Sequence, residues 1–323
     1  VDNLCHTLVG AALGEAGLKQ RTRFGNAVLM IAANIPDVDV LVFATSTPAV
    51  SFRRGWTHGI LAQLLLPVLL TAVMVVVDRL RPSRGGGESP PARVDVRWTL
   101  VLSFVGVYSH VFLDYLNNYG VRLLAPLDWR WFYGDAVFIV DPWLWLTLGA
   151  GAWLSWRRRN PTPARGALVF ACAYTLVMLL SARAARDVVV RTWEDARGTA
   201  PLALMVGPRP ATPFTRDVIV DAGDHYEIGT FSWSGQRVTF EPQGVPKNDT
   251  VPAVQAAEET PYVRSFLTWS RFPFWTFEPA GGATQVTVGD MRFAGFGALR
   301  AVGGRARFAA SVLVANKDTK SSD

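Results

Sequence analysis

Cysteine is nearly absent from this 323-residue chain: there are two, Cys5 and Cys172, both in apolar stretches. That excludes a disulfide framework or a CxxC centre and makes thiolate ligation an unattractive reading. Charge is sparse too, at 18% of residues, while 50% are hydrophobic, more apolar than an ordinary soluble domain. No Gly-x-Ser-x-Gly, P-loop or His-Glu-x-x-His sequence occurs, so the signatures of serine hydrolases, phosphate-loop NTPases and zincin proteases are missing. The first residues carry neither a basic n-region nor a small-residue cleavage site, and no removable signal peptide is expected. Histidine is the last scarcity: of four, His6, His58 and His110 fall in the apolar half and only His225 lies outside it.

The apolar residues are unevenly spread. Four runs, residues 24–44, 58–77, 98–116 and 166–182, are long enough or nearly so to span a bilayer. A fifth, 141–156, is shorter and Trp-rich, as an interface-anchored span would be. Residues 4–18 form a short amphipathic or re-entrant candidate. Past residue 184 the chain reads as soluble. A helix continues to about residue 196, then alternating segments follow at 216–220, 226–233, 237–241, 285–288 and 307–314. Residues 253–269 read as helix broken at Pro261, and the tail 316–323 reads as frayed. The expected fold is an α-helical polytopic membrane domain (residues 1–183) followed by a small α+β soluble domain (184–323) with a mostly antiparallel sheet.

The net charge of +6 comes largely from Arg clusters beside apolar segments, which read as topology signals rather than a nucleic-acid surface. Lys19, Arg21 and Arg23 form one cluster. Arg79, Arg81, Arg84, Arg93 and Arg97 form a second, around a loop with Gly85–Gly87 and Pro90–Pro91; Arg157, Arg158, Arg159 and Arg165 form a third. Placing all three in the cytoplasm puts the C-terminal domain on the outer side of an inner membrane. Arg183, Arg186 and Arg191 pull the other way but are diluted by Asp187, Glu194 and Asp195. The expected partner is the lipid bilayer, with no nucleic acid.

Ionisable side chains at membrane depth are costly and by default mark a site. His110-Val111-Phe112-Leu113-Asp114 places an imidazole and a carboxylate at i and i+4, on one helix face, where both can reach one metal; a helix-end His–Asp hydrogen bond is the alternative. In Asn34-Ile35-Pro36-Asp37-Val38-Asp39, Pro36 disfavours helix at Ile35 and breaks the run. An unwound turn would let both Asp37 and Asp39 approach a cation, although Asp37 could instead cap the next helix. Arg53-Arg54-Gly55-Trp56-Thr57-His58 offers an imidazole at a helix start, with Thr57 as a cap. Its two guanidinium groups could clamp phosphate or touch lipid headgroups. His6 could be a packing histidine, and His225 reads as an exposed turn residue. Asn117, Asn118, Tyr119, Asp135 and Asp141 could line a pocket, and Asp141-Pro142 could equally start a helix.

Taken in order, Asp2 through Gly10, Ile35 through Asp39, Gly55 through His58 and Ser109 through Gly120 resemble the YdjM-like family of inner-membrane metal-dependent hydrolases. The likeness covers about the first 160 residues and is to the long form with an added C-terminal domain. It implies that His6, Asp37, Asp39, His58, His110 and Asp114 are the metal and catalytic positions. Cys5 stands where Thr is expected. Arg53 or Arg54 stands where many members carry a further His, which puts one ligand in doubt. Some members are described as LexA-binding, which an outward-facing domain does not favour.

The resulting expectation is a membrane-bound metal-dependent hydrolase acting on a phosphoester or ester of a lipid-like substrate at the outer leaflet. His6, Asp39, His58, His110 and Asp114 would hold a divalent ion (Zn, or Mn or Fe), and Asp37, Asp39 and Arg54 would serve catalysis. The alternative is a non-enzyme: a cation or proton translocator, for which Glu15 is the one obvious carboxylate towards the cytoplasmic face, or a metal-stabilised scaffold.

Overall fold

The computed structural model describes residues 1–45, 49–81, 93–294 and 309–315. The expected Gly85–Gly87 and Pro90–Pro91 loop with Arg84, and the tail 316–323, lie outside them. Two compact units emerge: Val1–Ala44, Phe52–Ala184 and Gly207–Phe214 form the first; Thr45–Ser51, Ala185–Val206 and Thr215–Asp323 form the second.

The first unit is helical apart from Gly207–Phe214 and the loops. Helix α1 (Asn3–Glu15) begins at Asp2, whose carboxylate accepts from the Leu4 amide, satisfying one of the orphan donors of a helix start. Helix α2 (Gly25–Ala32) is followed by a 3-10 segment, Ile35–Ala44, bent 51° from it. The bend falls where Pro36 forbids continuation. After the short α3 (Ala49–Phe52) come α4 (Ile60–Leu80), α5 (Val96–Tyr115), α6 (Pro142–Arg158) and α7 (Thr162–Arg197). Among the described residues, α4, α5 and α7 are long and apolar enough to cross a membrane, and the bent pair makes a fourth crossing if it is one span. With 17 residues, α6 is the shortest of the long apolar helices.

Burial on α4 explains its solvent. Pro67, Leu70, Thr71 and Met74 face inward, whereas Leu64, Leu65, Val68, Leu69, Val73 and Val76 are exposed. A continuous apolar stripe of that size suits hydrocarbon and would be a liability in water. Inside, Val28, Leu29 and Ala32 of α2 pack with Leu70 and Met74 of α4 and with Leu102 and Val107 of α5. Close approach requires glycine at Gly106, where a Cβ would lie 2.4 Å from the Ala32 methyl.

The basic clusters meet at one end of this unit. Arg23 pairs with Asp78 at 2.6 Å, the Asp95 amide donates to Thr22 Oγ1 at 2.9 Å, and Arg165 Nε donates to the Ala16 carbonyl. His110 lies 15 residues beyond Asp95, or about 22 Å along α5 at about 1.5 Å per residue.

At 36 residues, about 54 Å, α7 outruns a hydrocarbon core of about 30 Å. Its C-terminal part belongs to the second unit, where Ala185, Val189 and Trp193 cover Leu204, Val206, Val218, Val220 and Phe231. There the expected antiparallel pairing is present, divided between two sheets. Strands β1 (Ala203–Arg209), β2 (Thr212–Asp221), β3 (His225–Ser232) and β4 (Arg237–Phe240) lie in that order, with β5 (Val245–Pro246) also on β3. Helices α8 (Pro252–Glu258) and α9 (Pro261–Trp269) break at Pro261, as the sequence predicts. A second, antiparallel sheet follows: β6 (Pro273–Ala280), β7 (Ala283–Asp290) and β8 (Ala309–Ala315).

Candidate metal centre

Three chain breaks and one helix face build the site. On α5, His110 and Asp114 sit one turn apart and fully buried, with His110 Nε2 3.5 Å from Asp114 Oδ2. The end of α2 supplies the Ala33 carbonyl, which accepts from His110 Nδ1 at 2.7 Å. In place of the expected unwound turn, the 3-10 segment Ile35–Ala44 brings in Asp37 and Asp39. The turn at 53–59 adds Arg53, Arg54, Thr57 and His58. Arg54 holds a left-handed φ of 54°, a conformation uncommon for a non-glycine residue. In that conformation its backbone amide reaches Asp39 Oδ2 at 2.7 Å. Gly59 packs so tightly that a Cβ would lie 2.2 Å from the Ala125 carbonyl.

Among the described residues, Asp37, His58, His110 and Asp114 each bring one ligand atom within 4.8 Å of the others. His58 Nε2 and His110 Nε2 are 3.1 Å apart. Asp114 Oδ2 lies 3.2 Å from His58 Nε2, and Asp37 Oδ1 lies 3.7 and 3.8 Å from the two nitrogens. A tetrahedral ion with ligands at about 2.0–2.1 Å needs edges of about 3.3–3.4 Å, and these separations bracket that value.

Proton placement points the same way. His110 Nδ1 donates to a carbonyl, so in the neutral imidazole Nε2 is the acceptor. Thr57 Oγ1 donates to Asp39 Oδ2 at 2.8 Å and is then the acceptor for His58 Nδ1 at 2.9 Å, which leaves His58 Nε2 unprotonated as well. Asp114 Oδ2 is buried with no hydrogen bond. Four acceptor atoms thus converge where water is excluded, an arrangement that is unfavourable until a cation joins them. The donor set of two imidazoles and two carboxylates suits a Zn-type ion.

His6 and Asp39 stand directly behind that group. His6 stacks on His110 with ring centroids 3.8 Å apart, and its Nε2 is 3.3 Å from Asp114 Oδ1, the oxygen facing away from the other ligands. Asp39 orients His58 through Thr57 and also meets Arg53 Nε at 3.4 Å. Arg54 is engaged by its own network. It donates to Asp114 Oδ1 at 3.0 Å and to Asn117 Oδ1 at 3.2 Å, and it lies over the Tyr119 ring. Arg53 is the guanidinium beside Asp37, at 3.4 Å, and it retains 22% side-chain exposure.

Other sequence candidates have structural roles. Asp141 caps α6, accepting from the Trp143 and Leu144 amides and from the Tyr174 hydroxyl. His225 lies in the second unit at the start of β3, beside Asp224. Thr57, expected as a helix cap, instead links Asp39 to His58. Its one sequence signal is adjacency to a histidine.

Residues 1–185 match the family described as YdjM inner membrane protein. The chain belongs to that family. A relative from Bacillus subtilis (strain 168), described as Uncharacterized protein YfhP, is 22% identical over 307 residues, covering 91% of this chain and 87% of the relative. It extends the likeness through the second unit. No solved structure matches.

Proposed function

We propose that this YdjM-family membrane protein is a divalent-metal-dependent hydrolase cleaving a phosphoester or ester bond of a lipid-like substrate. The observation that carries the proposal is the buried convergence of His58 Nε2, His110 Nε2, Asp37 Oδ1 and Asp114 Oδ2, all acceptors. An ion held by these four residues would supply Lewis acidity and activate water at neutral pH. The chain does the rest. Ala33 and Thr57 fix the two imidazoles, Arg54 and His6 hold Asp114, and Arg53, beside Asp37, meets developing negative charge on the substrate.

The basic clusters at the opposite end favour an outer-leaflet site and an extracytoplasmic C-terminal region. Glu15, the carboxylate a proton relay would use at that end, is paired with Lys19 at 2.5 Å, which supports hydrolysis over translocation. The test is elemental mass spectrometry on detergent-purified wild type and His110→Ala/Asp114→Ala protein, with a lipid-hydrolysis screen on the same samples. Stoichiometric Zn, Mn or Fe in wild type alone, with turnover lost in the variant, is expected. Folded protein that takes up no metal from a panel, or a variant that still turns over, overturns the reading.

A further inference from the structure

A groove of about 470 Å³ runs along the first unit, lined by Asn3 and Thr7 of α1, Met30 and Ile31 of α2, and Asn34, Ile35, Asp37 and Val38 of the bend. Its size falls within the range of about 300–1,000 Å³ usual for small-molecule sites. It lies at the 51° bend after α2.

Three features define its occupant. Ile31 and Val38 are 44% and 46% exposed on segments that together make a candidate span, so the groove opens sideways to hydrocarbon. Its walls combine apolar side chains with a polar strip. Asn34 Nδ2 donates to Thr7 Oγ1 at 3.0 Å and to the Met30 carbonyl at 2.8 Å, and Asn3 approaches Asn34 Oδ1 at 3.5 Å. The Thr7 hydroxyl in turn donates to the Asn3 carbonyl at 2.8 Å, so Asn34 and Thr7 are satisfied within the wall, and the exposed Asn3 side chain is the polar group left facing the groove. The groove also shares Asp37 with the metal cluster, so a molecule seated in it meets a ligand carboxylate directly.

We infer that this groove is the lateral access site for a membrane glycerolipid. One acyl chain lies against Met30, Ile31, Ile35 and Val38, and the ester region lies over the Asn3 side chain next to Asp37. The inference rests on the hydrolase reading for its purpose but not for its geometry.

The experiment uses the full-length protein in nanodiscs of phosphatidylethanolamine and phosphatidylglycerol. These are doped with a phosphatidylethanolamine bearing a diazirine on one acyl chain, photolysed, and mapped by peptide mass spectrometry. Label on residues 30–38 should exceed severalfold that on Leu64, Leu65 and Leu69, which are also lipid-exposed on α4. Ile31→Trp, or Val38→Trp where the first fails to fold, should abolish the excess while metal content and α4 labelling stay at wild-type levels. Equal labelling of groove and α4, or an excess that survives both variants, overturns the groove. Groove labelling in a protein that binds metal yet hydrolyses no lipid supports the groove and sinks the hydrolase reading. Lipid hydrolysis with uniform labelling does the reverse.

Discussion

His58 and His110 point their Nε2 atoms at each other across 3.1 Å, each with its Nδ1 committed elsewhere. Two lone pairs at that distance repel, and the neighbouring carboxylates add to the repulsion. Folding this cluster without a cation is therefore costly, and metal binding stabilises the folded state by mass action, about 2.7 kcal/mol at 100 times Kd. Chelation should lower the Tm of wild type in detergent by several degrees, and Zn should restore it. His110→Ala should show no metal-dependent shift. A wild-type Tm indifferent to chelator and to a metal panel would refute the cation site.

Thr57 is the link between Asp39 and His58, at 2.8 and 2.9 Å. Outer partners that fix a ligand's tautomer are typically worth about 10–100-fold in metal affinity. Thr57→Val keeps the shape and removes the hydroxyl, so chelator competition should report weakening in that range. Thr57→Ser should restore tight binding. Unchanged affinity in Thr57→Val would leave the residue as mere packing.

Arg54 and Arg53 adjoin in sequence but differ in consequence. Arg54 is 5% exposed and bonds Asp114 and Asn117. Removing one partner of a buried pair leaves the other charge uncompensated, at a cost of about 3–5 kcal/mol. Arg54→Ala should therefore lower Tm sharply. Arg53→Ala, at a half-buried edge, should leave Tm within a few degrees and retain the metal, while weakening turnover of an anionic substrate. Equal Tm losses in the two variants would contradict this division.

In the second unit, Asp290 is fully buried and accepts from Ser270, the Arg271 amide and Arg292. Burial pushes its carboxyl up, but the Arg292 guanidinium and these hydrogen bonds outweigh that and hold it below the ordinary value. A folded pKa below the unfolded one of about 3.9 contributes stability above that pH and loses it as pH falls through the folded value. Asp290→Asn should cost about 3–5 kcal/mol at neutral pH and converge with wild type in acid. Fluorescence of Trp269, under the Arg292 guanidinium, reports both titrations. A constant gap down to strong acid would exclude the linkage.

Much of the site was legible because its signals are local. The i, i+4 pair of His110 and Asp114 and the break at Pro36 each follow from a few adjacent residues. The strands outside the alternating segments, β1, β5 and β6, all carry proline (Pro208, Pro246, and Pro273 with Pro279), and β1 and β6 are sheet edges. An edge tolerates proline because one side of it needs no amide donors, so proline, which weakens the strand signal in a sequence, is compatible with pairing there. The link through Thr57 and the locking of Arg54 by Asp114 depend on residues far apart in sequence; spacing does not encode them.

Gly106 connects packing to the site. It lies one turn before His110 on α5, and a Cβ there would meet the Ala32 methyl at 2.4 Å and the Ala33 amide at 3.0 Å. Both neighbours belong to the end of α2 that presents the Ala33 carbonyl to His110 Nδ1. Relieving the clash means moving that end away from α5, which stretches the bond that sets the imidazole tautomer. Gly106→Ala should therefore lose about 1–3 kcal/mol by overpacking and, in addition, weaken metal affinity. Gly166→Ala on α7, where nothing lies within 4 Å of the added carbon, should do neither. If Gly106→Ala lowers Tm but binds metal like wild type, the two helices can separate without disturbing His110, and the Ala33 carbonyl does not orient the ligand.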